Sequence, residues 1–187
     1  MSAQLSIHPT PLVGLSVVRR HAQADARGSF TRLFCSETLS AAGWPGAVVQ
    51  VNHSLSRQLG TVRGLHFQRP PHQEWKLVTC VQGLVWDVAV DVRTHSPTYL
   101  KWHAETLSAD NGLAMLIPAG FAHGFQTLSN NVELVYCHSH AYYPAAEGGL
   151  NPNDPTAAVQ WPLPVSQWSE RDRQLLTVDQ GFAGVEL

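Results

Sequence analysis

Charge is scarce in this chain. Asp, Glu, Lys and Arg together make up only 14% of its 187 residues, against about 25% in an average globular protein. A chain this poor in charge and rich in short apolar runs is expected to hide surface, most simply in an oligomer. The formal net charge is −2 and no basic run is present. This argues against nucleic acid as a partner. An anionic small molecule is still open, because one or two local cations suffice. Cysteine is nearly absent too. Cys35, Cys80 and Cys137 are widely spaced and form no CxxC pair, which fits a reducing cytosol better than a disulfide framework. No apolar run reaches the ~18 residues of a membrane span. The opening MSAQLSIHPTPL has no charged segment leading into an apolar one, so no signal peptide is expected and the protein is placed in the cytoplasm.

A chain of this length is expected to form one domain over residues 1–187, burying roughly 70% of its unfolded surface without a metal or disulfide. Short apolar runs separated by Gly, Pro and Asn predict a mainly β architecture, a sandwich or barrel with a few short helices. Strands are predicted at Leu12–Val18, Ser29–Phe34, Ala47–Val51, Tyr99–Thr106 and Leu113–Ile117. Asp110-Asn111-Gly112 reads as a hairpin turn between the last two. Gly124–Leu128 and Val132–His140 read as a further pair around Ser129-Asn130-Asn131. Between Leu77 and Val92 apolar residues alternate clearly. Trp86, Val88, Val90 and Val92 share one face, and Val85, Asp87, Ala89 and Asp91 the other, as a polar interior or a solvated face. Glu37–Ala42 and Ser169–Leu176 read as short helices, the second capped by Ser169. Residues 144–165 read as an ordered loop.

The stretch that stands apart is Thr61–Gly83, TVRGLHFQRPPHQEWKLVTCVQG. It sets Arg63, His66 and Lys76 between strand-like runs and bends at Gly64 and at the Pro70-Pro71 pair. A core strand has no need of so many ionisable groups, whereas the wall of an active site does. His66 reads as a general base and Lys76 as the cation that stabilises what the base creates. Taken alone, each also fits a duller role: a hydrogen-bonded His, a solvated Lys. Further on, GLAMLIPAGFAH at 112–123 has the pattern G-x5-P-x-G-x2-H, which looks like the second motif of cupins. Cupins with a metal carry an HxH in their first motif. Here the corresponding segment reads His66-Phe67-Gln68, and Gln is a poor ligand for a first-row metal. No metal site is therefore expected.

The motifs RGSF at 27–30, QVN at 50–52, RGLHFQ at 63–68, DVAVDVR at 87–93, SPT at 96–98, IPAGFAHGF at 117–125, YYP at 142–144 and NDP at 153–155 occur together in one order. On them the chain resembles the dTDP-4-dehydrorhamnose 3,5-epimerases and their relatives that act on nucleotide-activated 4-keto-6-deoxy sugars. The resemblance runs from about Leu12 to Asp172. It implies a cupin-like double-stranded β-helix, or jelly roll, and an isomerase with no cofactor. It also implies a nucleotide-diphospho-sugar substrate and a homodimer that exchanges strands.

The chemistry of such an enzyme needs three groups. A base removes the proton beside the ketone, a cation meets the enolate oxygen, and an acid protonates the opposite face. The resemblance assigns His66 as base, Asp172 as the carboxylate that orients it, Lys76 as the enolate cation and Tyr136 as the acid. It assigns Arg27, Phe30, Gln50, Asn52, Arg63 and His123 to substrate binding, with the guanidinium groups suited to phosphate. One geometric question is open. Arg63 and His66 are three apart, so a regular strand would face them oppositely, and a bulge at Gly64 would re-aim one of them. Arg32 stands where many relatives have an acidic residue, and Pro152 where they have an aromatic one. A CDP-linked sugar therefore stays open, and inversion at carbon 3 alone stays open because residue spacing does not show how the pocket holds the ring. So do a sugar 3,4-ketoisomerase, a non-catalytic sugar-nucleotide-binding cupin and a metal-dependent cupin oxygenase.

Overall fold

The computed structural model describes residues 4–187. Two antiparallel sheets face each other. One runs β1-β2-β10-β7-β12-β5, the other β13-β6-β11-β8-β9. In chain order these are β1 (Leu5–Pro9), β2 (Ser16–Arg20), β5 (Gln50–Ser56), β6 (Val62–Gln68), β7 (Lys76–Gln82), β8 (Leu84–Asp91), β9 (Trp102–Ser108), β10 (Leu113–Ile117), β11 (Phe121–Thr127), β12 (Val132–His138) and β13 (Glu147–Gly149). A separate small hairpin joins β3 (Gln23–Asp25) to β4 (Gly28–Phe30). From β5 to β8 each strand lies in the other sheet from the one before it, and the same holds from β9 to β12. Only β8 and β9 are successive neighbours in this part of the chain. This is the cupin-like double-stranded β-helix.

That alternation corrects two expectations. The turns at 110–112 and 129–131 are real, but neither closes a hairpin. β9 and β10 belong to different sheets, as do β11 and β12. A tight turn fixes a reversal of direction; which sheet receives the next strand is decided by what its side chains pack against.

The apolar core between the sheets holds Val78, Cys80, Val85, Ala89, Leu107, Met115, Phe125 and Leu134. Each such fully buried aliphatic side chain contributes roughly 1.5–3 kcal/mol. The outer face of the five-stranded sheet is covered as well. Leu65, Val88, Val90 and Val92 pack there against Leu150, Ala157, Phe182 and Val185 from the later chain. Both faces of β8 are thus buried, and Asp87 and Asp91 lie on the inner one with no exposure. The open choice between a polar interior and a solvated face is settled for the interior. The outer face of the other sheet is closed by α1 (Ser36–Ser40) and by Trp44 and Leu39.

Other boundaries moved. The first predicted strand begins four residues later, at Ser16, because Leu12–Leu15 turns through Gly14 at φ +93°. The strand expected at Ala47–Val51 is found at Gln50–Ser56. Residues 144–165 contain β13 as well as loop. The second helix shortens to α2, Glu170–Arg173, with the Asp172 N–H donating to the Ser169 hydroxyl at 3.0 Å.

Candidate active site

At one end of the inter-sheet core the lining changes from apolar to polar and encloses a cavity of 530 Å³. The six-stranded sheet presents Gln50, Asn52, Ser54, Lys76, Tyr136 and His138 to it. The five-stranded sheet presents Arg63, His66, Gln68, His123 and Phe125. Strand periodicity accounts for most of this. Gln50, Asn52 and Ser54 alternate along β5, and Tyr136 and His138 along β12. His66 stands directly across from His123, and His138 across from Lys76.

Arg63 and His66 reach the same cavity because the strand is bulged. Phe125 pairs with Arg63 and His123 with His66, so three steps on β6 face two on β11. Gly64 sits in the bulge at φ +124°. A Cβ there would lie 2.5 Å from the Gly124 Cα, so the two backbones meet where only glycines fit.

His66 Nε2 lies 2.8 Å from the Asp172 carboxylate. Only the fold brings them together, since 106 residues separate them. With Nε2 occupied, Nδ1 is the ring nitrogen left for the cavity. Burial alone would raise the pKa of Asp172, but its bonds to His66, the Gly64 N–H and Ser169 outweigh this and hold it below the usual carboxylate range. Lys76 Nζ donates to the His66 carbonyl at 3.1 Å and ion-pairs with Glu74 at 3.0 Å. The other Glu74 oxygen lies 2.8 Å from His138 Nδ1. Burial opposes ionisation of Glu74, yet Lys76 and His138 together pull it down to about 2.

On the opposite wall the Tyr136 hydroxyl lies 3.1 Å from the Ser54 hydroxyl. Burial pushes its pKa well above that of a free phenol, and the charges of Asp87 and Cys80 push the same way. Tyr136 is therefore a protonated phenol throughout the neutral range. His123 Nε2 lies 2.8 Å from Asp87, which is fully buried. Burial raises the pKa of Asp87 against the pull of His123.

Arg27 and Phe30 are not brought to this cavity within the chain. Both lie on the β3–β4 hairpin, where Arg27 pairs with Asp25 at 2.6 Å and Phe30 is 65% exposed. Gln68, which stands where a metal cupin has its second His, is committed to structure. Its amide donates to the carbonyls of His72 and Ala141 and accepts from the Tyr143 N–H.

The family model described as dTDP-4-dehydrorhamnose 3,5-epimerase matches residues 9–180. The chain belongs to that family. It is 43% identical over 148 residues to the dTDP-4-dehydrorhamnose 3,5-epimerase of Sinorhizobium fredii, covering 79% of this chain and 76% of the relative. A dTDP-4-dehydrorhamnose 3-epimerase of Streptomyces niveus is 36% identical, with 92% and 83% covered. Among solved structures, the dTDP-6-deoxy-D-glucose-3,5-epimerase of Legionella pneumophila, in complex with dTDP-4-keto-L-rhamnose, superposes with a TM-score of 0.91. That pair is 32% identical, with 98% of this chain and 99% of the other covered.

In this member of the epimerase family the sequence analysis missed two buried polar residues of the site, Glu74 and His138, and read Asp87 only as facing a polar interior or solvent. Both missed residues had a usable signal. His138 shares the face of Tyr136 two residues away, and Glu74 shares that of Lys76. His138 is buried and lines the cavity.

Proposed function

We propose that this protein is a cofactor-independent epimerase of dTDP-4-dehydro-6-deoxyglucose, inverting carbons 3 and 5 to form dTDP-4-dehydrorhamnose. The observation that carries this reading is the placement of His66 and Tyr136 on facing sheets across one cavity, with Lys76 beside them. Inversion needs a base and an acid on opposite faces of one carbon.

His66, held by Asp172, takes the proton beside the ketone through Nδ1. The electron pair left behind moves onto the ketone oxygen, and a Lys76 N–H meets that charge. Tyr136 then delivers its proton to the other face; solvent restores the phenol and takes the abstracted proton from the His66 imidazolium. Gln50, Asn52, Arg63 and His123 hold the sugar and its diphosphate. Arg63 suits the phosphate oxygens because a guanidinium bonds two at once.

The working form is a homodimer in the cytoplasm. Arg27 and Phe30 stand on an exposed hairpin, and Val51 on the edge strand β5 and Val49 just before it are exposed. A second copy would cover these apolar groups and bring its own hairpin to the nucleotide. Light scattering on an eluting column tests this, and a mass of one chain at micromolar concentration rejects it.

Proton NMR with the dTDP sugar in D2O tests the reaction. Deuterium entering at carbons 3 and 5 is expected. Entry at carbon 3 alone would place the chain with the Streptomyces niveus type. No entry with the dTDP sugar, but entry with the CDP sugar, would move the nucleotide.

A further inference from the structure

The cavity holds a buried carboxylate for which the proposed reaction has no use. Glu74 is two residues from Lys76, and both side chains face inward, 8% and 10% exposed. Trp75 between them faces outward and packs in the cluster behind the sheet, and its backbone N–H donates to the Ser139 hydroxyl. The sequence Glu-Trp-Lys, which leads from the loop into β7, thus sets two charges inside and one indole outside. A carboxylate beside the cation that meets an enolate would ordinarily be harmful, because it weakens the positive field. Its bonding pattern points to another use.

An ammonium has three N–H donors on a flexible four-carbon stem. Of the three on Lys76, one goes to Glu74 and one to the His66 carbonyl. Two fixed bonds leave the third with a single direction. Lys76 lines the cavity, so that direction is toward the substrate. Glu74 is itself fixed, because its second oxygen is held by His138 Nδ1. The Nε2 of His138 lies 3.4 Å from the Asn52 amide. One chain of contacts therefore runs from Asn52 through His138, Glu74 and Lys76 to the backbone of His66. It crosses from the six-stranded sheet to the five-stranded one.

We propose that Glu74 is a positioning residue for Lys76. Its carboxylate, shared between the Lys76 ammonium and the His138 ring, aims the one remaining N–H of Lys76 at the place where the enolate oxygen forms. The inference rests on the epimerase reading above. Sharing the carboxylate with His138 also limits how far Glu74 neutralises Lys76, since one oxygen is drawn away from the ammonium. Because Glu74 stays ionised down to about 2, this tether is intact across the working range of pH.

The test uses E74Q, E74D, H138Q and the double variant E74Q/H138Q in the full chain, each checked for fold by circular dichroism and thermal melting. E74Q keeps the shape and loses the charge. Its kcat is expected to fall roughly 10- to 100-fold, the scale of a misplaced catalytic group, with KM within about threefold. E74D, which keeps the charge, should recover part of the loss, and it stands in should E74Q not fold. H138Q should lower kcat less, and the double variant should be no worse than E74Q, because both act through one unit. A kcat of E74Q within twofold of the parent overturns the proposal. So does a rise in KM alone, or losses that multiply in the double variant. A crystal structure of E74Q decides the point without turnover. Lys76 Nζ is expected to leave the His66 carbonyl, and an unmoved Nζ overturns the proposal. A parent protein that exchanges no deuterium would instead overturn the epimerase reading, and the crystal structure would still decide the role of Glu74.

Discussion

Replacing Asp172 by Asn isolates what the carboxylate does for His66. The two side chains have nearly the same size, and Asp172 is buried on the first turn of a capped helix, so packing is preserved. The hydrogen-bonding sense is not. An ionised Asp172 can only accept, so at 2.8 Å it requires the proton on His66 Nε2 and leaves the Nδ1 lone pair for the cavity. The Asn amide can donate to Nε2 instead. The proton then moves to Nδ1, and the ring faces the substrate with a donor where the reaction needs an acceptor. The anion that favours the imidazolium formed on proton abstraction is lost as well. Wrong tautomer and lost charge together cost about three to four decades in serine hydrolases. At 1.36 kcal/mol per decade this is about 4–5.5 kcal/mol of transition-state stabilisation. The assay is deuterium uptake at carbons 3 and 5 by proton NMR at pH 7. A cooperative melt near that of the parent establishes that the fold survives. Uptake within tenfold of the parent, in a folded D172N protein, would refute the argument that this carboxylate sets the working state of the base. The same variant carries a second signature. The pKa of Asp172 is lowered in the fold, so its contribution to stability is complete above the unfolded carboxylate range and disappears as pH falls through the lower folded value. D172N should lack that segment of the acid-unfolding curve.

In Y136F, solvent exchange at the acidified carbon should survive better than net inversion, because the base is untouched while the opposite-face donor is gone; equal losses in both, measured by NMR on one sample, would remove Tyr136 from that role. G64A should lose about 2–6 kcal/mol of stability in urea unfolding, from a left-handed backbone strain of ~1–3 kcal/mol and a similar overpacking against Gly124, and a loss under about 1 kcal/mol would contradict the close approach. Glu74 is depressed from 4.5 to about 2, so the parent should lose stability relative to E74Q as pH falls from about 4.5 toward 2, and parallel acid-unfolding curves would count against the buried pairing.

The candidate site residues were easier to pick out in the sequence than the strand partners. His66 and Lys76 stood out in the ionisable stretch Thr61–Gly83 and His123 in its Pro-Gly turn motif, while Tyr136 was named only through the family resemblance; all four line one cavity. Which strands pair was not readable. Period-two alternation reports one buried face, and β8 has two. The strand β5 misled for the opposite reason. Its inward positions are Gln50, Asn52 and Ser54 because they line a polar cavity, while Val51 is 61% exposed. A search for apolar residues facing inward therefore placed the strand too early. The three-residue strands β3 and β13 have too few residues to show a period at all. Arg63 was the fairest test, since the bulge that turns it inward was foreseen from Gly64 as one of two outcomes. The roles of Glu74 and His138 depend on a bond between a loop and a strand 64 residues apart, and no local pattern announces such a contact.

The covering of the five-stranded sheet has a consequence for how the protein is made. Phe182 and Val185 close the back of β6, β8 and β11, which are laid down some 55 to 120 residues earlier. During synthesis those strands wait with part of an apolar face uncovered until Phe182 and Val185 have left the ribosome, and most of their neighbours in the sheets arrive out of order. Folding must close long loops before it gains much in return, which makes this a slow folder by topology. A ribosome-stalled chain ending before residue 178 should therefore be caught by chaperones or proteases, although every residue proposed for catalysis would already have been translated.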